Sequence, residues 1–276
     1  FGAPLPIWGF SAHPLVKDGT LYCLVGGEGS TAVAFDAKTG KVKWKSLNAE
    51  NQGYSPPSII QAGGTDQLII WHTESINGLN PSTGDLYWTL PLKPNYGMAV
   101  ITPQLSGNKM FASGIGRIGA LIELGKDQPT AKFAWKGKPK TALYSCNSTP
   151  IIVDGVIYGS DISSNSLVAA NLEDGKRFWQ TEEPVVEKEH RTSGRHGTVY
   201  LTRHAGNEQF WIVNEGGNLI LAKLNKEGYK ELGRQHILEP TNEAFGRPVV
   251  WSAPAFAEKS VFMRNDKELV CVDLSE

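Results

Sequence analysis

Aromatic residues recur just before the first strand of successive repeated units, and their types suit binding rather than catalysis. They stand at the start of Tyr54-Ser-Pro-Pro57, Tyr144-Ser-Cys-Asn147 and Trp251-Ser-Ala-Pro254. Aromatic walls with a few convergent polar groups are typical of ligand pockets. We therefore predict one binding mouth; the alternative is that these rings only cover the strand ends. The predicted binding residues are Trp8, His13, Tyr54, Tyr96, Tyr144, Asn147, Arg195, His196 and Trp251.

Signals for catalysis or metal binding are weaker. Glu187, Glu189 and His190 have the chemistry of metal ligands, but their spacing fixes no geometry and an exposed connecting loop is the preferred interpretation. No Gly-x-Ser-x-Gly elbow occurs, which argues against a hydrolase. The segment 114–119 matches Gly-x-Gly-x-x-Gly, but no helix is predicted after it, so we interpret it as a turn. We predict no catalytic residue and no metal site.

The three cysteines do not form a recognisable motif. Cys23, Cys146 and Cys271 are far apart in the sequence, and none has the paired spacing of a zinc site. Cys23 and Cys271 fall inside apolar strands, which predicts that both are small buried residues. Cys146 lies in a polar segment and is the candidate for exposure.

These candidate residues belong to repeated units that share a short sequence motif, called the hairpin word below. Ala34-Phe-Asp36-Ala-Lys-Thr-Gly40 leads to Trp44, and similar words lead to Trp88, Trp135 and Trp179, at spacings of 44, 47 and 44 residues. A fixed period of this size is typical of an array of like units. We expect these four tryptophans to lie in the outermost strands and to pack flat between neighbouring blades.

One unit reads as four short antiparallel strands. The apolar runs 21–25 and 31–35 have strand length and are bounded by turn residues. Between the third and fourth strands, the Asp36 side chain is placed to accept from backbone N–H groups two or three residues on. Gly40 supplies the positive φ that such a turn requires.

Sheets of this kind bury their faces by stacking around an axis. We predict an all-β fold, a β-propeller of four-stranded antiparallel blades. The chain holds about six blades, of which the fifth has lost its tryptophan and the sixth is one strand short. We expect sequence before Phe1, a seven- or eight-bladed ring, and a single domain over 1–276 that lacks N-terminal blades. The predicted blades are residues 11–46, 54–92, 96–138, 144–184, 194–240 and 251 onward.

Composition supports a turn-rich protein and narrows its partners. The chain has 30 Gly and 16 Pro in 276 residues, and its net charge is −1 without a basic block. Nucleic-acid binding needs a clustered positive surface, so we expect no nucleic-acid partner. No continuous apolar run approaches 18 residues, which predicts no transmembrane helix.

The repeated Ala-x-Asp-x-x-Thr-Gly-x-x-x-Trp word resembles the tryptophan-docking motif of PQQ-like, or quinoprotein-type, β-propeller repeats. Within that group, Phe1–Phe10 and Glu227–Leu232 are similar to stretches of secreted proteins that resemble lipoprotein B of outer-membrane β-barrel assembly. The resemblance implies a periplasmic or secreted location. Related dehydrogenases hold the quinone PQQ under a disulfide of adjacent cysteines, beside a calcium ion, and this chain has no adjacent cysteines.

We therefore expect a non-enzymatic scaffold that binds a protein, or an extracellular small-molecule or polymer ligand, through one mouth of a central channel. No cofactor is expected. The first alternative is a quinoprotein-like alcohol or sugar dehydrogenase that uses PQQ with calcium. The second is a polysaccharide-related enzyme that uses the mouth as a cleft. Fold alone does not decide between these functions.

Overall fold

The computed structural model describes residues 1–138, 140–186, 195–204 and 206–275. The chain folds into two compact units, Phe1–Lys138 and Pro139–Glu276. Within the described residues, the strands form five four-stranded sheets, one three-stranded sheet and one two-stranded ribbon, all antiparallel. This confirms the prediction of four-stranded antiparallel units. In the same residues, no helix has the length and apolar character needed to span a membrane.

The first unit contains sheets one to three, each a meander in chain order. Sheet one is β1 (Leu15–Lys17), β2 (Thr20–Leu24), β3 (Ala32–Asp36) and β4 (Val42–Ser46). Sheet two is β5 (Ser58–Ala62), β6 (Thr65–Trp71), β7 (Ser75–Leu79) and β8 (Leu86–Pro91). Sheet three is β9 (Gln104–Ser106), β10 (Lys109–Gly114), β11 (Ile118–Leu124) and β12 (Ala131–Lys136). A 3-10 turn, Asn95–Gly97, lies between sheets two and three.

The second unit contains sheets four to six and the ribbon. Sheet four is β13 (Ile151–Val153), β14 (Val156–Asp161), β15 (Ser166–Asn171) and β16 (Arg177–Thr181). Sheet five is β17 (Val199–Arg203), β18 (Gln209–Asn214), β19 (Asn218–Leu224) and β20 (Tyr229–His236). The ribbon is β21 (Asn242–Ala244) and β22 (Arg247–Val249), and sheet six is β23 (Ala255–Ala257), β24 (Ser260–Arg264) and β25 (Leu269–Asp273).

The hairpin word forms the turn that its residues predict. Asp36 Oδ1 accepts hydrogen bonds from the backbone N–H groups of Lys38 and Thr39, at 3.2 and 2.8 Å, and from the Thr39 hydroxyl. These bonds lower the pKa of the exposed Asp36 carboxyl, with the Thr39 hydroxyl as the largest cause. Gly40 has a φ of 69°, where a side chain would be strained. Local residues alone therefore produce this turn.

A β-bulge follows at the same register step in all five four-stranded sheets, between the third and fourth strands. In the first four sheets the residue paired immediately beside the bulge is the repeated tryptophan. Ala34 pairs with Trp44, for example, and Ala169 pairs with Trp179. A bulge re-aims the strand and its side chains locally. The repeat therefore fixes both the tryptophan and the backbone that directs it.

Sheets pack face to face inside each unit. In the first unit, one apolar cluster joins sheets one and two and another joins sheets two and three. In the second unit, corresponding clusters join sheets four and five and sheets five and six. This is the solution expected for sheets that cannot bury their faces alone.

The tryptophans do not all make the same contact. The Trp44 indole N–H donates to the Pro81 carbonyl in the next hairpin at 3.0 Å, and the Trp179 indole N–H donates to the Asn225 carbonyl at 2.7 Å. The Trp88 indole N–H instead donates to Gln67 Oε1 of its own sheet at 2.6 Å. The hairpin next to Trp88 is the expanded one of sheet three, whose strands end at Leu124 and resume at Ala131.

Three other expectations can be compared with the strands. Sheet six has three strands within the described residues, as predicted, and the outer strand of sheet five has no tryptophan. The segment 114–119 joins β10 to β11, which confirms that it is a turn rather than a nucleotide loop. The ribbon β21–β22 was not predicted, because its strands have only three residues each and no apolar alternation.

Candidate functional site

A cleft of about 860 Å³ opens in the first unit, where the loops that enter sheets two and three meet the N-terminal segment. The lining residues are Leu5, Pro6, Ile7, Glu50, Asn51, Gly53, Tyr54, Thr73, Lys93, Pro94, Asn95, Tyr96 and Gly97. Two predicted binding residues, Tyr54 and Tyr96, are among them. The structure therefore brings these two tyrosines to one opening.

Hydrogen bonds to backbone carbonyls hold the walls of this cleft. The Tyr54 N–H donates to the Ala99 carbonyl at 2.8 Å, and the Thr73 hydroxyl donates to the Asn51 carbonyl at 2.8 Å. Each bond ties one loop to another, so the walls are preformed by the scaffold. Pre-formed walls lower the cost of ordering when a ligand binds.

Tyr96 projects from the cleft because of its backbone conformation. Its φ is 57° and its ψ is 20°, the left-handed region, inside the 3-10 turn. The Asn95 N–H before it donates to the Ile115 carbonyl at 3.0 Å, which anchors the turn. The Tyr96 side chain is 75 % exposed. A strained, anchored residue that presents a ring to solvent is a feature of binding sites.

Trp8 extends the aromatic surface of the cleft. The Trp8 ring meets the buried Tyr54 ring edge-on, with centroids 5.7 Å apart, and the Trp8 backbone N–H donates to the Tyr54 hydroxyl oxygen at 3.4 Å. Leu5 and Ile7 precede it and are 78 % and 79 % exposed. The cleft and its rim thus combine two tyrosines and a tryptophan with uncovered apolar side chains. His13 is also exposed, two residues before β1.

A second group of predicted residues meets in the second unit, around a buried ion pair. Glu215 accepts from Arg247 Nε at 2.6 Å and from Arg247 Nη2 at 2.9 Å, and both side chains are buried. The Trp251 indole N–H also donates to Glu215, at 3.1 Å. The Thr198 N–H donates to the same carboxylate at 3.3 Å. These four hydrogen bonds offset the cost of burying the Glu215 carboxylate.

Aromatic rings cover this ion pair. His196 stacks on Phe245 at a centroid distance of 5.0 Å, and Phe245 lies 6.4 Å from Trp251. Phe245 is at the two-residue turn of the ribbon, where it and Gly246 have positive φ as a tight hairpin requires. Burial lowers the pKa of His196, and the guanidinium groups of Arg247 and Arg195 lower it further.

The other predicted residues of this unit take different places. Arg195 is exposed, and its carbonyl accepts from Arg247 Nη2 at 2.7 Å. Asn147 Nδ2 donates to the Thr198 hydroxyl at 3.2 Å, which places it beside the same cluster. Tyr144 is only 2 % exposed, and its N–H donates to Asp161. A single mouth that gathers residues of both units stays a prediction.

Sequence reasoning missed Glu215, Arg247 and Phe245. Glu215 precedes Gly-Gly after an apolar run and resembled any turn residue. Nothing local points to Arg247 as its partner 32 positions away. The one available signal was the Trp251 indole N–H, which needs an acceptor when it is covered.

The cysteines correct two expectations. Cys271 was expected to be buried and is exposed, because β25 is the outer strand of sheet six and its residues alternate outward. Cys146 was the candidate for exposure and is buried. Its loop is drawn inward by Ser145 and Ser148, which hydrogen-bond to the carbonyl and hydroxyl of Ser160. Burial raises the pKa of the Cys146 thiol to about 12. Cys23 is partly buried, on β2.

The possible metal ligands Glu187, Glu189 and His190 lie outside the described residues. In the described ranges, no group of three or more His, Cys, Asp or Glu side chains is arranged to hold a metal.

Comparison with known proteins adds the family and the fold. A family model described as outer membrane protein assembly factor BamB matches residues 4–181. Sequence comparison with curated proteins finds no match. The structure resembles BamB from Moraxella catarrhalis with a TM-score of 0.61 and 14% identity, over 94% of this chain and 70% of that one.

Two further solved structures are similar. Apo AztD from Citrobacter koseri has a TM-score of 0.57 and 12% identity, over 95% of this chain and 68% of that one. Quinohemoprotein alcohol dehydrogenase from Comamonas testosteroni has a TM-score of 0.53 and 12% identity, over 92% and 51%. At such identities the likeness concerns the fold alone, and it confirms the prediction of an all-β propeller.

Proposed function

Because the chain belongs to the PQQ-like repeat family of the outer membrane protein assembly factor BamB, we propose that it is a non-enzymatic scaffold that binds another protein. The cleft of the first unit carries this proposal. It combines a preformed concave surface with the exposed side chains of Leu5, Ile7 and Tyr96. Clusters of exposed apolar side chains around a groove mark protein interaction sites.

The cleft favours an extended, apolar segment of the partner. Its lining residues include one cation, Lys93, and one anion, Glu50, so charge contributes little to the choice of partner. Tyrosine and tryptophan supply large contact area at small entropic cost, as in interface hot spots. Affinity in this proposal comes from the rings of Tyr96 and Trp8 and from the apolar side chains beside them.

The same proposal includes a location and a cofactor state. A family described by outer membrane assembly favours a periplasmic or secreted protein. The proposed binding function uses no cofactor. Titration of the full chain with PQQ and Ca²⁺, with an alcohol and a redox dye present, tests the alternative. Saturable dye reduction would replace the scaffold proposal with a quinoprotein-like dehydrogenase.

Selection of peptides tests the cleft itself. A displayed library of random peptides is selected on the full chain, and the affinity of each enriched peptide is measured by calorimetry. In Tyr96→Ala and Ile7→Ser variants we expect affinity to fall about tenfold or more, the usual effect of losing a hot-spot side chain.

Phe178→Ala is the matched control, because this ring is 41 % exposed on β16 of the second unit and does not line the cleft. It should leave the affinity of the selected peptides unchanged. Peptides that bind the cleft variants and wild type equally well would overturn the assignment of the cleft. A selection that enriches no peptide would count against a peptide-binding scaffold altogether.

A further inference from the structure

Tyr22 of sheet one and Tyr158 of sheet four occupy equivalent positions. In each four-stranded sheet, one second-strand residue pairs with the third-strand residue whose fourth-strand partner lies beside the bulge, and these tyrosines are that second-strand residue. Both are buried. Five residues before them, at the end of the first strand, stand Lys17 and Val153. The two grooves therefore differ in the side chain that the first strand supplies.

In the groove between sheets one and two, the chain supplies its own ammonium group. Lys17 Nζ donates to Asp66 Oδ2 of sheet two at 3.1 Å. Burial raises the pKa of Tyr22, while a hydrogen bond with Thr20 and the charge of Lys17 oppose this rise. A buried tyrosine, a carboxylate and a lysine thus come together in this groove.

The groove between sheets four and five has the tyrosine and the carboxylate, but valine replaces the lysine. Glu208 of sheet five occupies the position of Asp66, because each stands three residues before the second-strand residue paired across to the bulge. Val153 stands where sheet one has Lys17. The acceptor of the ion pair is therefore present without its donor.

A small pocket of about 230 Å³ remains in this groove, and the buried Tyr158 lines it. Tyr158 is 3 % exposed, and none of its hydrogen bonds within the described residues involves the hydroxyl group. Val156 stands where Thr20 accompanies Tyr22 in sheet one. A buried hydroxyl without a partner is an unused donor and acceptor at the base of the pocket.

Carboxylates outnumber cations around this hydroxyl. Burial is the main cause that raises the pKa of Tyr158 to about 12, and the charges of Glu208, Asp154 and Glu227 add to it, while Arg203 opposes the rise. Arg203 Nη2 lies 3.7 Å from Asp154 Oδ2, so this cation already has an anion. An additional positive charge is therefore favoured here.

The remaining groups of the pocket leave that charge unsupplied. The ammonium of Lys226 lies over the Phe178 ring, 5.9 Å from its centroid, and Phe178 does not line the pocket. Neither Glu208 nor Glu227 forms an ion pair with any described residue. Glu208 Oε2 accepts a hydrogen bond from Asn225 Nδ2 at 3.4 Å.

We propose that this pocket of the second unit binds the ammonium group of a lysine side chain presented by a partner polypeptide. Its alkyl stem lies along Val153 and Val156, and its three N–H donors face Glu208, Glu227 and the Tyr158 hydroxyl. Lysine suits separate acceptors because its ammonium is a compact charge, whereas the planar guanidinium of arginine suits one carboxylate. The pocket shares no residue with the cleft of the first unit and goes beyond the function proposed above.

The probe is Nα-acetyl-lysinamide, followed by saturation-transfer NMR in the presence of the full chain. We expect saturable binding about tenfold tighter than that of Nα-acetyl-norleucinamide, which has the same alkyl chain without the ammonium. Val153→Lys should weaken binding about tenfold or more, because the chain's own ammonium then pairs with Glu208. Glu208→Gln should weaken it about fivefold, and Tyr158→Phe, which keeps the ring, about threefold.

Val16→Lys is the matched control, because it adds the same charge at a position of the first unit that is 62 % exposed and does not line the pocket. It should retain the wild-type affinity, and so should the cleft variant Tyr96→Ala. If Val153→Lys does not fold, Glu208→Lys gives the same test at an exposed position.

Three results would overturn the proposal. The first is no saturable binding of the lysine amide, or equal binding of the norleucine amide. The second is unchanged affinity in both the lysine variant of the pocket and Glu208→Gln. The third is binding of cadaverine or Nα-acetyl-argininamide about tenfold tighter than that of the lysine amide, which would assign the pocket to free diamines or to arginine.

Discussion

The two grooves that flank sheet five in the second unit differ in the outer-strand residue that is paired beside the bulge. On the side of sheet four, Trp179 fills the groove and bonds to the neighbouring hairpin. On the side of sheet six, that outer-strand residue is Gly233, and Trp211 of the second strand stacks on Phe256 instead. The comparison shows that the repeat tolerates loss of its most regular residue when another contact holds the next sheet.

A second contact of this unit is the ion pair between Glu215 and Arg247, which ties the ribbon β21–β22 to sheet five. We expect Arg247→Met to lower the free energy of unfolding by about 3–5 kcal/mol, because it leaves Glu215 buried without its charge partner. Urea denaturation measures this. The control is Arg234→Met, which removes a more exposed pair with Glu231 and should cost about 1 kcal/mol or less. Similar costs for both variants would show that the buried pair does not hold the ribbon.

Removal of the indole from the filled groove should have the next largest effect. We expect Trp179→Ala to destabilise the protein by about 3 kcal/mol, because it loses apolar contacts and a hydrogen bond in a half-buried position. Phe178→Ala changes the adjacent, more exposed ring and should cost about 0.5 kcal/mol. Thermal and urea unfolding of both variants give the comparison. If the two costs are equal, the indole is not what joins sheets four and five.

Placing an indole at Gly233 should have a smaller effect of opposite sign. Gly233→Trp should raise the free energy of unfolding by about 1 kcal/mol, since it buries an indole and removes a flexible residue from a strand. Gly233→Ala separates the two causes, because it restricts the backbone without filling the groove. A tryptophan variant no more stable than the alanine variant would mean that the groove does not accept an indole.

The smallest expected effect concerns pH at the rings over the ion pair. The pKa of His196 is lower in the folded state than its ordinary value of 6.5, so the folded protein is more stable when this imidazole is neutral than when it is protonated. This contribution is complete above pH 6.5 and is lost as the pH falls below it, since the unfolded chain then binds the proton more readily.

His196→Asn should therefore flatten the dependence of stability on pH below that value, and asparagine tolerates the left-handed φ of 57° at this position. Urea midpoints measured at intervals across this range give the slope. An unchanged slope in the variant would show that His196 does not contribute.

Much of the fold was predictable because its signals are local. Asp36 and Gly40 specify a turn through bonds within five residues, and the repeated tryptophan marks the outer strands of sheets one to four. The candidate sites were predictable only in part. Tyr54 and Tyr96 do line one cleft, but Tyr144 occupies the same position in its repeat and is buried. Position in a repeat does not report how deeply the neighbouring loops cover a side chain.

The sequence by itself determined the repeat, the strand order within each sheet and the fold class, because turns and alternation act over a few residues. Only the tertiary structure decided that Glu215 meets Arg247 and that Trp211 stacks on Phe256. Those facts depend on which faces of distant strands come together, and no short stretch of sequence contains that information.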